Sequence, residues 1–310
     1  MRVAGPDPGR TGPCRPIPVL ETVSPLPPDR AAALAQAYDG AVAASRRRVW
    51  IGLAVLVVLT GLAAQAAEVR PGVLAANIGK FTDYIAQILP ALTLGNLGGD
   101  LAEWYWGWPK WLALLGETLL MAYLGTLLGA IGGFLLCFAA AGNVARSRTG
   151  CFLVRRILEF CRTVPEIVFA LIFVIAFGLG PMVGVLALAI HTTGALGKLF
   201  AEVVENIDLK PVESLTAAGA GRIETLRFAV LPQVLSNFVS YGLLRFEINV
   251  RGAGVMGFVG AGGIGQELLV AIRNFYYADV SAILVLIILT VMAIDLGTER
   301  LRHHLLGGLR

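Results

Sequence analysis

The chain has 310 residues, of which 56% are hydrophobic and only 15% charged, with a mean hydropathy of +0.74. Soluble domains carry roughly a quarter charged residues, so this chain lacks the polar side chains to cover a water-facing surface, and its solvent is largely lipid. Its formal net charge of +4, from 25 basic and 21 acidic residues, is a surplus suited to orienting loops across a bilayer and gives no nucleic-acid footprint.

Residues 1–48 hold no apolar run of signal-sequence length, and eight of the fifteen prolines fall between Pro6 and Pro28, where they oppose regular structure. A disordered tail is expected there. Within it the alanine-rich stretch 29–45 suits a short helix capped by Asp29, which would deliver Arg46, Arg47 and Arg48 to a membrane surface; the simpler reading of the three arginines is a stop signal. The cysteines (Cys14, Cys137, Cys151, Cys161) show no C-x-x-C spacing, so neither a zinc site nor a disulfide framework is supported.

A membrane-spanning helix needs about 20 mostly apolar residues, and the hydropathy pattern predicts six: 49–67, 112–141, 157–179, 182–201, 231–250 and 278–297. The fold class expected is an all-α integral membrane protein. Its parts are a tail over 1–48, a first span with its connection over 49–111, and a transmembrane domain over 112–310. The third and fourth spans share an uncharged run interrupted by Gly178-Leu179-Gly180-Pro181, which reads as a tight turn. With the N-terminus inside, 19 of the 25 basic residues fall in the tail, in 142–162, in 198–227 and at the C-terminal end, so both termini are expected in the cytoplasm. Trp104, Trp106, Trp108 and Trp111 cluster before the second span, as an outer-leaflet anchor would.

Between the fifth and sixth spans, Gly260-Ala261-Gly262-Gly263-Ile264-Gly265 fits G-x-G-x-x-G, but without the flanking strand that a dinucleotide site needs. These glycines, with Gly252, Gly254 and Gly257, are expected to let non-helical backbone dip against protein or a water-filled cavity. On the opposite face, Pro211 and Glu213 suit the first turn of a short helix that Gly219 and Gly221 then end, and Pro232 can open the fifth span.

That segment runs Glu213-Ser214-Leu215-Thr216-Ala217-Ala218-Gly219, then nine residues, then Ala229-Val230-Leu231-Pro232. It resembles the signature of ABC importer permeases (E-A-A, three residues, G, nine residues, I-x-L-P), matching at Glu213, Gly219, Leu231 and Pro232 and departing at Ser214, Leu215 and Ala229. The stretches 177–194, 245–251 and 259–265 are similar to the permease of the phosphonate ABC importer. The resemblance runs from about residue 112 to the C-terminus.

The resemblance implies a type I permease fold in the bacterial inner membrane and a homodimer docked on two cytoplasmic ATPase subunits, fed by an extracytoplasmic binding protein for phosphonate or a related oxyanion such as phosphate or phosphite. The chain itself would be no enzyme and bind no cofactor, with ATP and Mg held by the ATPase. Glu213, Ser214, Leu215, Ala218 and Gly219, over 210–222, would form the coupling helix, with Leu231 and Pro232 beginning the next span. Candidate pathway or gate residues are His191, Thr192, Thr193, Arg245, Glu247, Asn249, Arg251, Gly260, Gly262, Gly263 and Gly265. An ionisable side chain inside a span costs roughly 2.5–3.5 kcal/mol on insertion scales and therefore tends to be paired or pathway-lining. Glu117, Glu166 and Asp295 join the list on that ground. Glu247 and Arg251, four residues apart, are expected to form an intrahelical ion pair. Two other readings stay open: a permease for an amino acid such as methionine, and a membrane enzyme acting on lipid phosphates.

Overall fold

The structure is a computed structural model, and it describes residues 27–90, 95–145 and 147–307. Contacts divide the chain after Ile78 into two units.

In the first unit, α1 (Pro28–Ala66) is one unbroken helix of 39 residues, about 58 Å long at 1.5 Å per residue. The helix expected over 29–45 is therefore present but is not separate, since it runs directly into the first span. Its N-cap is Pro27, with Asp29 in the first turn, and the expected disordered tail cannot extend to Arg48. Residues 1–26 lie outside the described residues. α2 (Pro71–Ile88) follows and crosses the division between units.

In the second unit, α3 (Leu97–Trp104) leads into α4 (Trp108–Ala140), the second span. The expected third span is broken. α5 (Arg148–Thr163) and α6 (Glu166–Phe177) meet at 86° across Val164 and Pro165. Proline forces the preceding residue out of the helical region and supplies no N–H, and Val164 is extended at φ −73°, ψ 121°. α7 (Pro181–Glu205) is the fourth span, entered through the predicted turn at Gly178–Pro181. The short α8 (Lys210–Ala217) and α9 (Arg222–Thr225) precede a π-helical turn (Leu226–Val230) that runs into α10 (Leu231–Met256). After a 3-10 turn (Gly257–Val259), α11 (Gly263–Arg273) and α12 (Tyr277–Gly307) complete the order. Among the described residues, four helices are each long and apolar enough to cross a membrane, and up to six spans result if each bent pair counts as one.

The densest packing lies between α4 and α7. Its sequence cause is Gly125, Gly129 and Gly133, four apart on one face of α4. A Cβ on Gly125 would stand 2.6 Å from Leu188 Cβ, one on Gly129 2.5 Å from Thr192 Cβ, and one on Gly133 2.9 Å from Gly197 N. Small residues let helix backbones approach closely where lipid supplies no hydrophobic drive to associate. α5 joins the same seam, since a Cβ on Gly194 would meet Arg162 N at 2.6 Å and Leu158 O at 2.7 Å.

Apolar clusters fill the bundle in three tiers. The tier nearest α8 holds Leu158, Leu196, Phe200, Val204, Val234 and Phe238; the middle tier Ala122, Phe169, Leu188, Val250, Ala253 and Met256; the far tier Trp111, Leu115, Ile264, Leu268 and Ile283. Trp111 is thus core and not surface anchor, being 1% exposed. Trp104 also turns inward, its Nε1–H donating to Ala278 O (3.1 Å) and Ser281 Oγ (2.9 Å) at the start of α12. Trp106 and Trp108 are exposed.

Gly129→Val drives a branched side chain into Thr192, and overpacking of this kind costs about 3 kcal/mol. Gly116→Ala, on the same helix but with open space around its Cβ, is expected to leave thermal unfolding in detergent unchanged or slightly raised. Equal unfolding temperatures for the two variants would contradict the seam.

Candidate functional site

At one end of the bundle, α8 is built as its sequence dictates. Pro211 and Glu213 occupy its first turn. Gly219 sits in the left-handed region at φ +85°, which glycine adopts without strain. Ala220 N–H donates to Leu215 O and Gly219 N–H to Thr216 O, both at 3.0 Å, so the helix closes in a Schellman motif. Val212 packs on the nearby apolar tier and Leu215 is half-buried, whereas Glu213, Ser214, Thr216, Ala217 and Ala218 are exposed. Leu231 packs on the same tier and Pro232 lies in the first turn of α10, as predicted.

Polar ties anchor this end. Gln233 Nε2–H donates to Asp208 O (3.3 Å) and Ala229 O (2.7 Å), and its Oε1 accepts from Asp208 N–H (3.1 Å). Arg222 donates to Val144 O (2.9 Å) in the α4–α5 turn. Arg155 pairs with Glu205, and Gly142 N–H donates to the same carboxylate (2.7 Å). Val212 seats α8 on the near tier beside the π-helical turn and α9, and these ties link the ends of α4, α5, α7 and α10 around it.

Half-way along the bundle, Asn249 is 1% exposed and Thr192 is fully buried. The Asn249 amide donates to Thr126 Oγ1 (2.8 Å) and Thr192 Oγ1 (2.9 Å), fastening α10 to both seam helices. Thr193 donates to Ala189 O (2.8 Å), within its own helix. His191 Nδ1–H donates to Val164 O (3.0 Å), the carbonyl at the α5–α6 break, and its Nε2 lies 3.7 Å from Glu166 Oε2. Glu166 in turn faces α10, where a Cβ on Gly252 would stand 3.5 Å from its Oε1.

The expected Glu247–Arg251 pair does not form. One terminal nitrogen of Arg251 donates to both oxygens of Asp295 at 2.8 Å each, and Glu247 accepts from the Thr298 hydroxyl. α12 alongside α10 brings Asp295 within reach of Arg251, so the guanidinium pairs across helices rather than along its own. Arg245 is half-buried, makes no contact ion pair among the described residues, and keeps its Nε buried without a hydrogen-bond partner.

At the far end the glycine motif is mostly helical, contrary to expectation. Gly252 and Gly254 belong to α10 and Gly263 and Gly265 to α11, so irregular backbone is confined to Gly260–Gly262. The glycines serve close approach: a Cβ on Gly265 would stand 1.8 Å from Gly254 O, and one on Gly257 2.3 Å from Gln266 N. Thr118 of α4 accepts from Ile264 N–H (2.9 Å), satisfying a donor at the start of α11. Gly180 N–H donates to Gly260 O (3.1 Å), joining the two inter-helix turns. Beside them is a cavity of ≈ 380 Å³ lined by Lys110, Glu117, Pro181, Gly262 and Glu267, with Lys110 and Glu267 paired at 2.6 Å.

Sequence reasoning missed the Gly125–Gly129–Gly133 seam and Thr126, although glycines four apart in an apolar helix were a readable signal. It also missed Thr118 and Thr298, which carry no motif.

The bundle is apolar, carries broken helices and holds a short exposed helix at one end, an architecture suited to a membrane transport subunit. Residues 133–310 match the family described as binding-protein-dependent transport system inner membrane component, and the chain belongs to that family. It is a transport subunit whose systems include a binding protein and a separate ATPase. The chain is 41% identical over 198 residues to a phosphite transport system permease protein of Stutzerimonas stutzeri, covering 64% of this chain and 72% of that one. It is 53% identical over 119 residues to a putative cryptic phosphonate transport system permease protein of Escherichia coli K12, covering 38% of this chain and 98% of that one. Among solved structures, an inward-facing form of the MetNI methionine ABC transporter matches with a TM-score of 0.53 at 21% identity, covering 63% of this chain and 95% of that chain. That likeness is one of fold, the type I importer permease.

Asn249→Leu removes both cross-helix donors and is expected to destabilise the bundle by about 2 kcal/mol. Asn249→Gln, which keeps the amide, is expected to recover part of that loss in detergent unfolding.

Proposed function

We propose that this chain forms the transmembrane pathway of an ATP-driven importer for phosphonate or a related phosphorus oxyanion, phosphite or phosphate. The observation that carries the cargo class is the identity of 41–53% to relatives named for phosphite and phosphonate transport. The likeness to a methionine transporter extends to fold alone, and membership of a transport family leaves no ground for a lipid-phosphate enzyme.

The working unit is a homodimer on two cytoplasmic ATPase subunits that hold ATP and Mg, with an extracytoplasmic binding protein delivering cargo. Both termini and α8 face the cytoplasm, in keeping with the distribution of lysine and arginine. α8 is the coupling helix: its exposed side suits insertion into a groove of the ATPase, and its bracing suits it to move the ends of α4, α5, α7 and α10 together. The middle of the bundle, with His191, Thr192, Thr193, Arg245, Glu247, Asn249 and Arg251, borders the pathway, and the Gly260–Gly265 turn forms its outer rim. Selectivity among the oxyanions resides chiefly in the binding protein.

Proteoliposomes holding this chain with its ATPase and binding protein are expected to accumulate a labelled alkylphosphonate only when ATP is supplied, with unlabelled phosphonate, phosphite or phosphate competing in an order that identifies the cargo. ATP hydrolysis without accumulation of label, when alkylphosphonate, phosphite and phosphate are each supplied labelled in turn, would overturn the cargo assignment and leave the family untouched.

A further inference from the structure

The ionic groups within the spans differ in how far the chain itself satisfies them. Arg251 gives two hydrogen bonds to Asp295, and Glu247 is held by Thr298. Arg245 has no such arrangement. Its Nε is buried with no hydrogen-bond partner and no ion pair joins it among the described residues, while the Glu166 carboxylate stands against Gly252, seven residues on and so along the same face of α10. A half-buried guanidinium with an unused donor is an unfinished site, because burying a donor unpaired is unfavourable and a ligand oxygen would complete it. Glu166 is held nearby on separate grounds. It begins α6 directly after Pro165, its carboxylate lies 3.7 Å from His191 Nε2, and His191 grips the Val164 carbonyl at the helix break.

We propose that Arg245 is an intramembrane relay point for the translocated oxyanion and that Glu166 is its resident counter-ion, displaced as the anion binds and driving it off again. This rests on the import of a phosphorus oxyanion proposed above and adds the device that keeps the pathway from trapping its cargo. An arginine alone in a low-dielectric pathway would hold a phosphorus oxyanion too long, since its donors match those oxygens geometrically. A carboxylate on the same side of α10, yet out of contact, weakens that hold by like-charge repulsion and restores neutrality once the anion leaves. His191 is a positioning residue, fixing where Glu166 stands between visits.

The test uses the whole complex of permease, ATPase and binding protein in proteoliposomes, with radiolabelled phosphite as probe. Arg245→Gln is expected to lower ATP-driven uptake at least tenfold and Arg245→Lys about threefold, the lysine keeping the charge but not the planar donors. Glu166→Gln is expected to lower the maximal rate about fivefold while raising the label retained by the complex after rapid gel filtration. Merely structural damage at Glu166 would lower uptake without retained label. Co-purification with the ATPase reports assembly, and if Arg245→Gln fails to assemble, Arg245→Lys decides. Wild-type rates in the assembled arginine variants, or slowed uptake without retained label in Glu166→Gln, would overturn the relay. No phosphite uptake by the wild-type complex would instead overturn the cargo reading and the relay with it.

Discussion

Close approach of α4 and α7 along a glycine seam is the constraint on which the other contacts of the second unit depend. With Gly125, Gly129 and Gly133 lacking side chains, the two backbones come near enough for Thr126 and Thr192 to stand side by side and accept from one amide, that of Asn249. α10 is thereby fixed to both seam helices at once. Farther along α4, Thr118 takes up a donor at the start of α11, and on α7, Gly194 and Gly197 admit the backbone and Leu158 of α5. Widening the seam by one methyl group would disturb each of these attachments, because none has slack.

The polar groups of the bundle show how a lipid solvent sorts them. Threonine hydroxyls are satisfied within their own helix, as in Thr126 to Ala122 O and Thr193 to Ala189 O, and retain acceptor capacity for a neighbour. Charges near α12 are neutralised across helices. Arg245 is held back from this pattern, its Nε buried without a partner, and the Glu166 carboxylate sits directly after the 86° break between α5 and α6. A break exposes backbone groups that need partners, which brings His191 to Val164 O and makes the middle of the bundle polar.

Much of this was legible in the sequence because the signals are local. Hydropathy located the four helices long and apolar enough to span, the glycine-proline turn at 178–181 separated the third predicted span from the fourth, and Pro211, Glu213 and Gly219 delimited α8 to within a residue or two. What escaped depends on which faces meet. Glu247 and Arg251 are well spaced for a pair, and only the position of α12 shows that each has a better partner. The glycines from 252 to 265 are consistent with loop or with tightly crossing helices, and the contact of Gly265 with Gly254 O decides for crossing over most of their length. Four tryptophans looked alike until α12 offered acceptors to one and the core enclosed another.

In the role proposed for it, α8, exposed along most of its length at one end of the bundle, would convey ATPase closure to the spans. The most direct measurement is ATP hydrolysis by the assembled complex with and without cargo-loaded binding protein, comparing Ser214→Pro with Ser214→Ala. Proline there removes a backbone donor in the middle of an eight-residue helix, a disruption of about 3 kcal/mol, whereas alanine leaves the helix intact. The account predicts that stimulation by loaded binding protein disappears in the proline variant and persists in the alanine variant. Stimulation of wild-type size in an assembled Ser214→Pro complex would contradict it.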